Sequence, residues 1–302
     1  MITTIALSEF QTLRKQKIFI LLLMIFLSMA LFSTYIGWSA KNTILRIYDE
    51  IIKEMGTKDL NAVPSNPFLN TAPLSILKNM VIYVELIGSL LAIIIGSNSF
   101  IRERRAGVSK IIFSKPIRRI EFVLGKMLGI FLVLTSIMGV TFAISIFSVA
   151  LVSAHILPFA EVLKLLFFYG VSLIYMFIFS MIGLYFSIVS KSESMAFLIP
   201  IMIWILISFV MPQITSALDP AALLNPTNIQ ATFPQSHFFT TVQTIIHPFS
   251  ISENYQIIGK SLLEGNVNEF PMRSSLLFLV ILIPGCLHAM YKYNACEEEM
   301  SE

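Results

Sequence analysis

Long uninterrupted apolar runs constrain the fold of this chain more than any other feature. The clearest one extends from Ile18 to Ala40, between Lys17 and Lys41, and carries no charge. A helix needs about 20 apolar residues to cross a hydrocarbon core of about 30 Å. The run of 23 residues is also too long for the core of a signal peptide. We therefore expect an uncleaved first transmembrane helix over 18–40.

Five further runs have comparable length, and they predict spans at 79–101, about 127–151, 165–190, 195–211 and 274–291. Charged residues make up only 13% of the chain, against about 25% in soluble domains. Pro200, Pro212 and Pro284 are tolerable because neighbouring helices satisfy freed backbone groups. The sequence predicts one all-α integral membrane domain over 1–302, with about six spans and no nucleotide-binding domain.

The segment before the first span is amphipathic, with an apolar stripe that includes Ile2, Ala6 and Leu13. Such a pattern predicts a helix lying along the membrane surface. Two interpretations are open, an elbow helix that touches a cytoplasmic partner and a plain membrane anchor.

The loop after the second span sets the orientation. Eight basic residues lie between Ile101 and Met127, against Glu103 and Glu121. Lys and Arg in short loops face the cytoplasm, so we expect both termini inside, in a multi-pass protein of the cell membrane. The longer outer segments are then 41–78 and 212–273. Within the second, the stretch 238–249 has apolar residues on one helical face, which fits a re-entrant helix or a small surface fold equally well.

Sequence motifs for catalysis or metal binding are weak. No two of the four histidines have the i, i+3 or i, i+4 spacing of a helical metal site. Gly259-Lys260-Ser261 resembles the end of a phosphate loop, but Asn254 stands where the first glycine is needed. Long basic tracts typical of nucleic-acid binding are missing. We expect no catalytic residue, no metal site and no cofactor in this chain, and no nucleic-acid partner.

Glu85 is the only carboxylate well inside a predicted span. Intramembrane acids are costly and are functional candidates by default. Glu85 is therefore a candidate residue of a translocation path. The alternative is a side chain that extends to the outer interface.

The basic loop also contains a short apolar pattern. Val108, Ile111 and Ile112 have i, i+3, i+4 spacing, and Pro116 stops a helix just before it. This predicts a short amphipathic helix beneath the membrane. It can dock on a protein partner or lie on anionic lipid head groups.

These residues resemble the type-2 ABC exporter permeases, closest to those grouped with nitrous-oxide-reductase and multicopper enzyme maturation systems. The family carries E-R-x-x-G-[TS] after its second span, and Glu103, Arg104 and Gly107 match it, with Val108 in place of the hydroxyl residue. A second signature leads into the third span. It is matched by Phe113, Pro116, Ile117, Arg119, Phe122, Gly125 and Lys126. Glu9 and Arg14 stand where the family tends to carry the same residue types.

The resemblance implies a permease subunit that docks a separate ABC ATPase through its coupling helix. ATP and Mg²⁺ are then expected on the ATPase, with a second permease copy or a homologous permease as a further partner in the lipid bilayer. The coupling loop implied by the resemblance comprises Glu103, Arg104, Gly107, Val108, Ile111, Ile112, Phe113, Lys115, Pro116 and Arg119. The remaining alternatives are an ATP-independent transporter or assembly factor and a membrane-embedded enzyme. The cargo stays open.

Overall fold

The computed structural model describes residues 1–15, 17–55, 72–105, 107, 119–153, 157–190, 192–212, 241 and 250–265. All regular structure in these ranges is helical. The α-helices are α1 (Ile2–Lys15), α2 (Lys17–Met55), α3 (Asn79–Tyr83), α4 (Ser89–Arg105), α5 (Arg119–Ser153), α6 (Phe159–Val189), α7 (Glu193–Ile205) and α8 (Ile251–Glu264). A 3₁₀ turn, Pro73–Leu77, precedes α3, and π-helical turns at Val84–Gly88 and Leu206–Val210 follow α3 and α7.

Among the described residues, five helical segments are long and apolar enough to cross a membrane. They are Phe19–Lys53, Pro73–Arg105, Glu121–Ser153, Phe159–Val189 and Glu193–Val210. They overlap the first five predicted spans, so the part of the chain that the structure describes is all-α and has the helices of a multi-pass membrane protein. The predicted sixth span, 274–291, lies outside the described residues.

Several helices extend beyond the predicted spans. α2 continues past Ala40 to Met55 and α5 begins at Arg119, well before Met127. The predicted limits followed hydropathy, which marks the part of a helix that lipid can cover. Backbone hydrogen bonding continues through the charged residues beyond it, so these helices are longer than the parts predicted to cross the membrane.

Small residues bring α4 and α6 together at the centre of the bundle. A side chain at Gly96 would collide with the carbonyl of Ser180, and one at Gly183 with the carbonyl of Ile93. Ser97 Oγ also donates a hydrogen bond to the Gly183 carbonyl at 3.3 Å. Close backbone approach of this kind is how membrane helices gain packing energy without a hydrophobic driving force between them. α5, α7 and α8 pack on this pair of helices, whereas α1 and α2 pack mainly on α5.

α8 packs inside this bundle. Tyr255 stacks on Tyr175, which lies near the middle of α6, with ring centroids 4.3 Å apart. Gly259 is in contact with Val81, and Gly265 at the end of α8 lies against Ala72. The helix α8 is therefore inserted between spans, with its first turn level with the middle of α6. The stretch 238–249, predicted to be a re-entrant helix or part of a surface fold, lies outside the described residues except for position 241.

Candidate functional site

Two glycines at the start of the third span allow α1 to dock against it. A Cβ atom at Gly129 would lie 2.6 Å from Glu9 Cβ, and one at Gly125 would lie 2.7 Å from Ile5 Cβ. The glycines are four residues apart and share one helical face, as in small-xxx-small packing. α1 is thus a docked helix in contact with the bare backbone of α5.

Glu9 projects from α1 into a buried polar network. Its carboxylate accepts hydrogen bonds from Arg102 Nη2, at 3.0 Å to each oxygen, and from Lys126 Nζ at 3.1 Å. Ser99 Oγ donates to the same carboxylate at 2.8 Å. Glu9 is only 5% exposed, and a buried charge of this kind is tolerated only when it is paired and hydrogen-bonded.

Lys126 is the cation at the centre of this network, and it is 1% exposed. Its ammonium group donates to Glu9, to Glu103 Oε1 at 2.7 Å and to the Ser99 carbonyl at 2.9 Å. Glu9, Ser99, Arg102, Glu103 and Lys126 are called the Glu9 network below. Its two carboxylates and two cations balance in charge, so α1, α4 and α5 meet without a net buried charge.

The Glu9 network closes the base of the basic loop 106–118. Glu103 lies at the end of α4 and Lys126 near the start of α5, so their ion pair joins the two sides of the loop. Gly107 has φ of 66°, a left-handed conformation that glycine adopts without steric cost and that ends the helix. The residues on either side of the loop are therefore bonded to one another.

Two arginines tie the same end of α4 to the next spans. Arg104 donates to the carbonyl groups of Ser187 and Ser190 at 3.1 and 2.6 Å. These carbonyls at the end of α6 have no helical partner, and a cation is favourable there. Arg105 donates to Glu193 Oε2 at the start of α7, with distances of 2.8 and 2.6 Å. The end of α4 is thus bonded to α5, α6 and α7.

The structure describes only part of the predicted coupling loop. Glu103, Arg104 and Gly107 lie together at its base, and the backbone of Arg119 begins α5. The other predicted residues lie outside the described residues, namely Val108, Ile111, Ile112, Phe113, Lys115 and Pro116.

A second polar cluster surrounds Glu85 in the π-helical turn before α4. Glu85 is 2% exposed, and its Oε2 accepts a hydrogen bond from Gln256 Nε2 of α8 at 2.7 Å. Lys260 Nζ donates in turn to Gln256 Oε1 at 3.0 Å. The Glu85 carboxylate is therefore enclosed by α8 and has almost no exposed surface.

Hydroxyl groups extend this cluster across the bundle. Tyr175 and Ser252 share a hydrogen bond of 3.1 Å, and Tyr255 and Ser172 share one of 2.9 Å. From α7, Trp204 Nε1 donates to Ser89 Oγ at 2.7 Å. These side chains form a polar layer between α4, α6, α7 and α8. The complete set, called the Glu85 cluster, is Glu85, Ser89, Ser172, Tyr175, Trp204, Ser252, Tyr255, Gln256 and Lys260.

The role of Lys126 was missed at the level of sequence, where it was read only as part of a signature. Gly125 and Gly129 on either side carried a usable signal, because small residues four apart in a membrane helix indicate close helix contact. A buried lysine between them requires a carboxylate partner. The partners of Glu85 gave no comparable signal, since Gln256 is 171 residues away in sequence. In the described part of the chain, no group of three or more His, Cys, Asp or Glu residues could hold a metal ion.

Apolar helices of spanning length, packed through small residues and linked by buried ion pairs, define a polytopic membrane protein. The sequence model of the family described as ABC-2 family transporter protein matches residues 3–293, and the chain belongs to this family. It is accordingly a permease component of an ABC transporter, a transport subunit and not an enzyme. No curated protein matched the chain.

Proposed function

We propose that this chain couples ATP hydrolysis on a separate ATPase subunit to substrate export, with the loop 106–118 as the point of contact. The observation that carries the proposal is the Glu103–Lys126 ion pair, which joins the two sides of this loop at its base. A loop whose two ends are bonded to one another transmits a push to both flanking spans together.

Contacts among the described residues support a route for this transmission. Displacement of the loop acts on α4 and α5 through Glu103 and Lys126, on α6 through Arg104 and on α7 through Arg105. The packed spans respond as bodies because close-packed cores do not deform continuously. The ATPase must bind the two arrangements of the spans with different affinity, since otherwise no work is transferred.

The partners follow from family membership and charge distribution. ATP and Mg²⁺ bind to the ATPase, and a second copy or a homologous permease completes the membrane unit. The basic loop, with Arg14, Lys15 and Lys17, orients both termini toward the cytoplasm of a cell membrane. The resemblance to permeases of copper-enzyme maturation systems supports export as the direction of transport.

We assign Glu85 to the translocation path. The Glu85 cluster contains a carboxylate, an amide and several hydroxyl groups in a region otherwise walled by apolar side chains. Ser208, in the π-helical turn after α7, is buried, and its hydroxyl group interacts with that of Tyr175 in the same cluster. Polar groups are expensive at this depth and mark pathways in transport proteins. Separation of α8 from α4 and α6 would expose the cluster to a passing substrate.

The coupling proposal is tested with two substitutions in the loop. Ile111→Asp places a charge on the apolar side of the predicted coupling helix, where contact with an ATPase groove would be lost. Lys110→Ala changes the adjacent residue on the other side of that helix and is the matched control. Both variants are expressed to equal levels and purified as full-length chains. The amount of copurified subunit that carries a Walker A motif is measured, together with its ATPase activity.

We expect Ile111→Asp to insert normally and to lose ATPase recovery, and Lys110→Ala to retain it. A helix that lies only on lipid would give the opposite order, because loss of Lys110 weakens attraction to anionic head groups. Purification without any ATPase subunit, in several detergents, would instead favour an ATP-independent transporter.

A further inference from the structure

One face of α2 forms an open groove of about 530 Å³. Three of its apolar side chains, Ile20, Leu21 and Met24, are 58%, 55% and 65% exposed, so no described part of the chain covers them. The groove is lined by Lys17, Ile20, Leu21, Met24, Ile25 and Ser28.

The groove has the length of one lipid leaflet. At 1.5 Å per residue, the distance from Lys17 to Ser28 along α2 is about 16 Å, close to half of a hydrocarbon core of about 30 Å. Ser28 Oγ donates to the Ile25 carbonyl at 2.7 Å. Its hydroxyl group therefore needs no hydrogen-bond acceptor from a molecule in the groove. The groove therefore offers an apolar surface that one acyl chain can follow from the membrane boundary to the midplane.

A cluster of cations stands at the mouth of the groove. Arg14 and Lys15 end α1 and Lys17 begins α2, and all three side chains are exposed. None of them forms an ion pair within the described ranges. Glu9, the carboxylate closest to them in sequence, forms ion pairs with Arg102 and Lys126 instead. Among the described residues, no carboxylate compensates the positive charge at the mouth.

We propose that the groove and the junction between α1 and α2, called the elbow here, together bind one phospholipid with an anionic head group. The phosphate lies between Lys17 and the cations that end α1, and one acyl chain follows Ile20, Leu21 and Met24. A second copy of this chain fits the surface less well, because a two-fold interface brings a patch against itself and would place these cations opposite one another. The bound lipid joins α1 to α2 and so fixes the elbow beside the Glu9 network.

Lipid retention by the purified full chain, with any subunit that copurifies, tests this inference. The protein is equilibrated with equal amounts of phosphatidylglycerol and phosphatidylcholine of identical acyl chains, and retained lipid is counted by native mass spectrometry. We expect one phosphatidylglycerol per chain, preferred by about fivefold or more over phosphatidylcholine. Salt should reduce this preference, because the cations are exposed.

Two kinds of variant separate charge from shape. The triple variant R14Q/K15Q/K17Q should abolish the preference for phosphatidylglycerol. The double variant L21W/M24W fills the groove while keeping the cations, and it should abolish retention of the lipid. K15R/K17R keeps the charge and should behave like the unmodified chain. K41Q/R46Q, farther along α2 and away from the groove, should do so as well. Elution on size exclusion checks that each variant is folded. Equal retention of both lipids by the unmodified chain, or full phosphatidylglycerol retention by L21W/M24W, would overturn the proposal.

Discussion

Lys126 Nζ lies 2.7 Å from Glu103 Oε1, although the two residues are separated in sequence by the whole basic loop. Lys126 also binds Glu9 of α1 at 3.1 Å. One ammonium group therefore connects α1, the end of α4 and the start of α5. Its removal should affect more than a local contact.

Lys126→Met should destabilise the protein strongly. The substitution leaves two buried carboxylates with Arg102 as their remaining cation, and loss of one partner of a buried ion pair costs about 3–5 kcal/mol. Lys164→Met is the control, because Lys164 pairs with Glu161 at a more exposed site one turn away on the same helix, where such pairs contribute about 0.3–0.5 kcal/mol. Thermal unfolding in detergent measures both. Equal shifts in Tm would show that the Glu9 network does not hold the spans together.

Gly129→Leu should release α1 from α5. The new side chain would occupy the position of Glu9 Cβ and Cγ, which approach a Cβ at this site to 2.6 and 2.9 Å. The reporter is a cysteine at Ala6, which is 4% exposed, in a chain without Cys286 and Cys296. Its labelling by a thiol reagent should increase several-fold in Gly129→Leu. Gly139→Leu on the same helix meets no described atom within 4 Å and should leave the reporter protected.

The two ends of α2 should lie on opposite sides of the membrane. Ser8, which precedes α2, and Thr43, which follows Trp38 within α2, are both exposed and are replaced by cysteine one at a time. An impermeant thiol reagent added to intact cells should label position 43 and spare position 8 until the cells are opened. Labelling of position 8 alone in intact cells would invert the orientation expected from the charges.

Gln256→Leu should loosen α8. The substitution removes the hydrogen-bond donor of the buried Glu85 carboxylate, and an unsatisfied buried group costs about 1–3 kcal/mol, more when it is charged. Tm is also measured for Glu85→Leu and for the double variant. The double variant lacks both partners of the hydrogen bond, so its loss in Tm should be smaller than the sum of the losses in the two single variants. A double variant that is as unstable as the sum of the two single ones would mean that these side chains do not interact.

Hydropathy was sufficient to predict the first five spans, because the requirement for about 20 apolar residues is local. The Glu9 network was beyond this reasoning, since Glu9, Glu103 and Lys126 come from three separate segments and nothing local specifies their meeting. The family signature indicated Glu103 and Arg104, and the structure gives them distinct partners, Lys126 and the end of α6. Insertion of α8 was equally hidden, because its 14 residues are too few to register as a span.

The length of α2 has a mechanical consequence. Tyr35 and Trp38 are exposed aromatic residues, of the kind that marks a membrane boundary. From Trp38 the helix continues to Met55, a distance of about 25 Å at 1.5 Å per residue. This projection is a lever arm. A tilt of about 10° at the boundary would carry its tip sideways by about 4 Å over that length, so a subtle rearrangement among the spans would be amplified at the far end of α2.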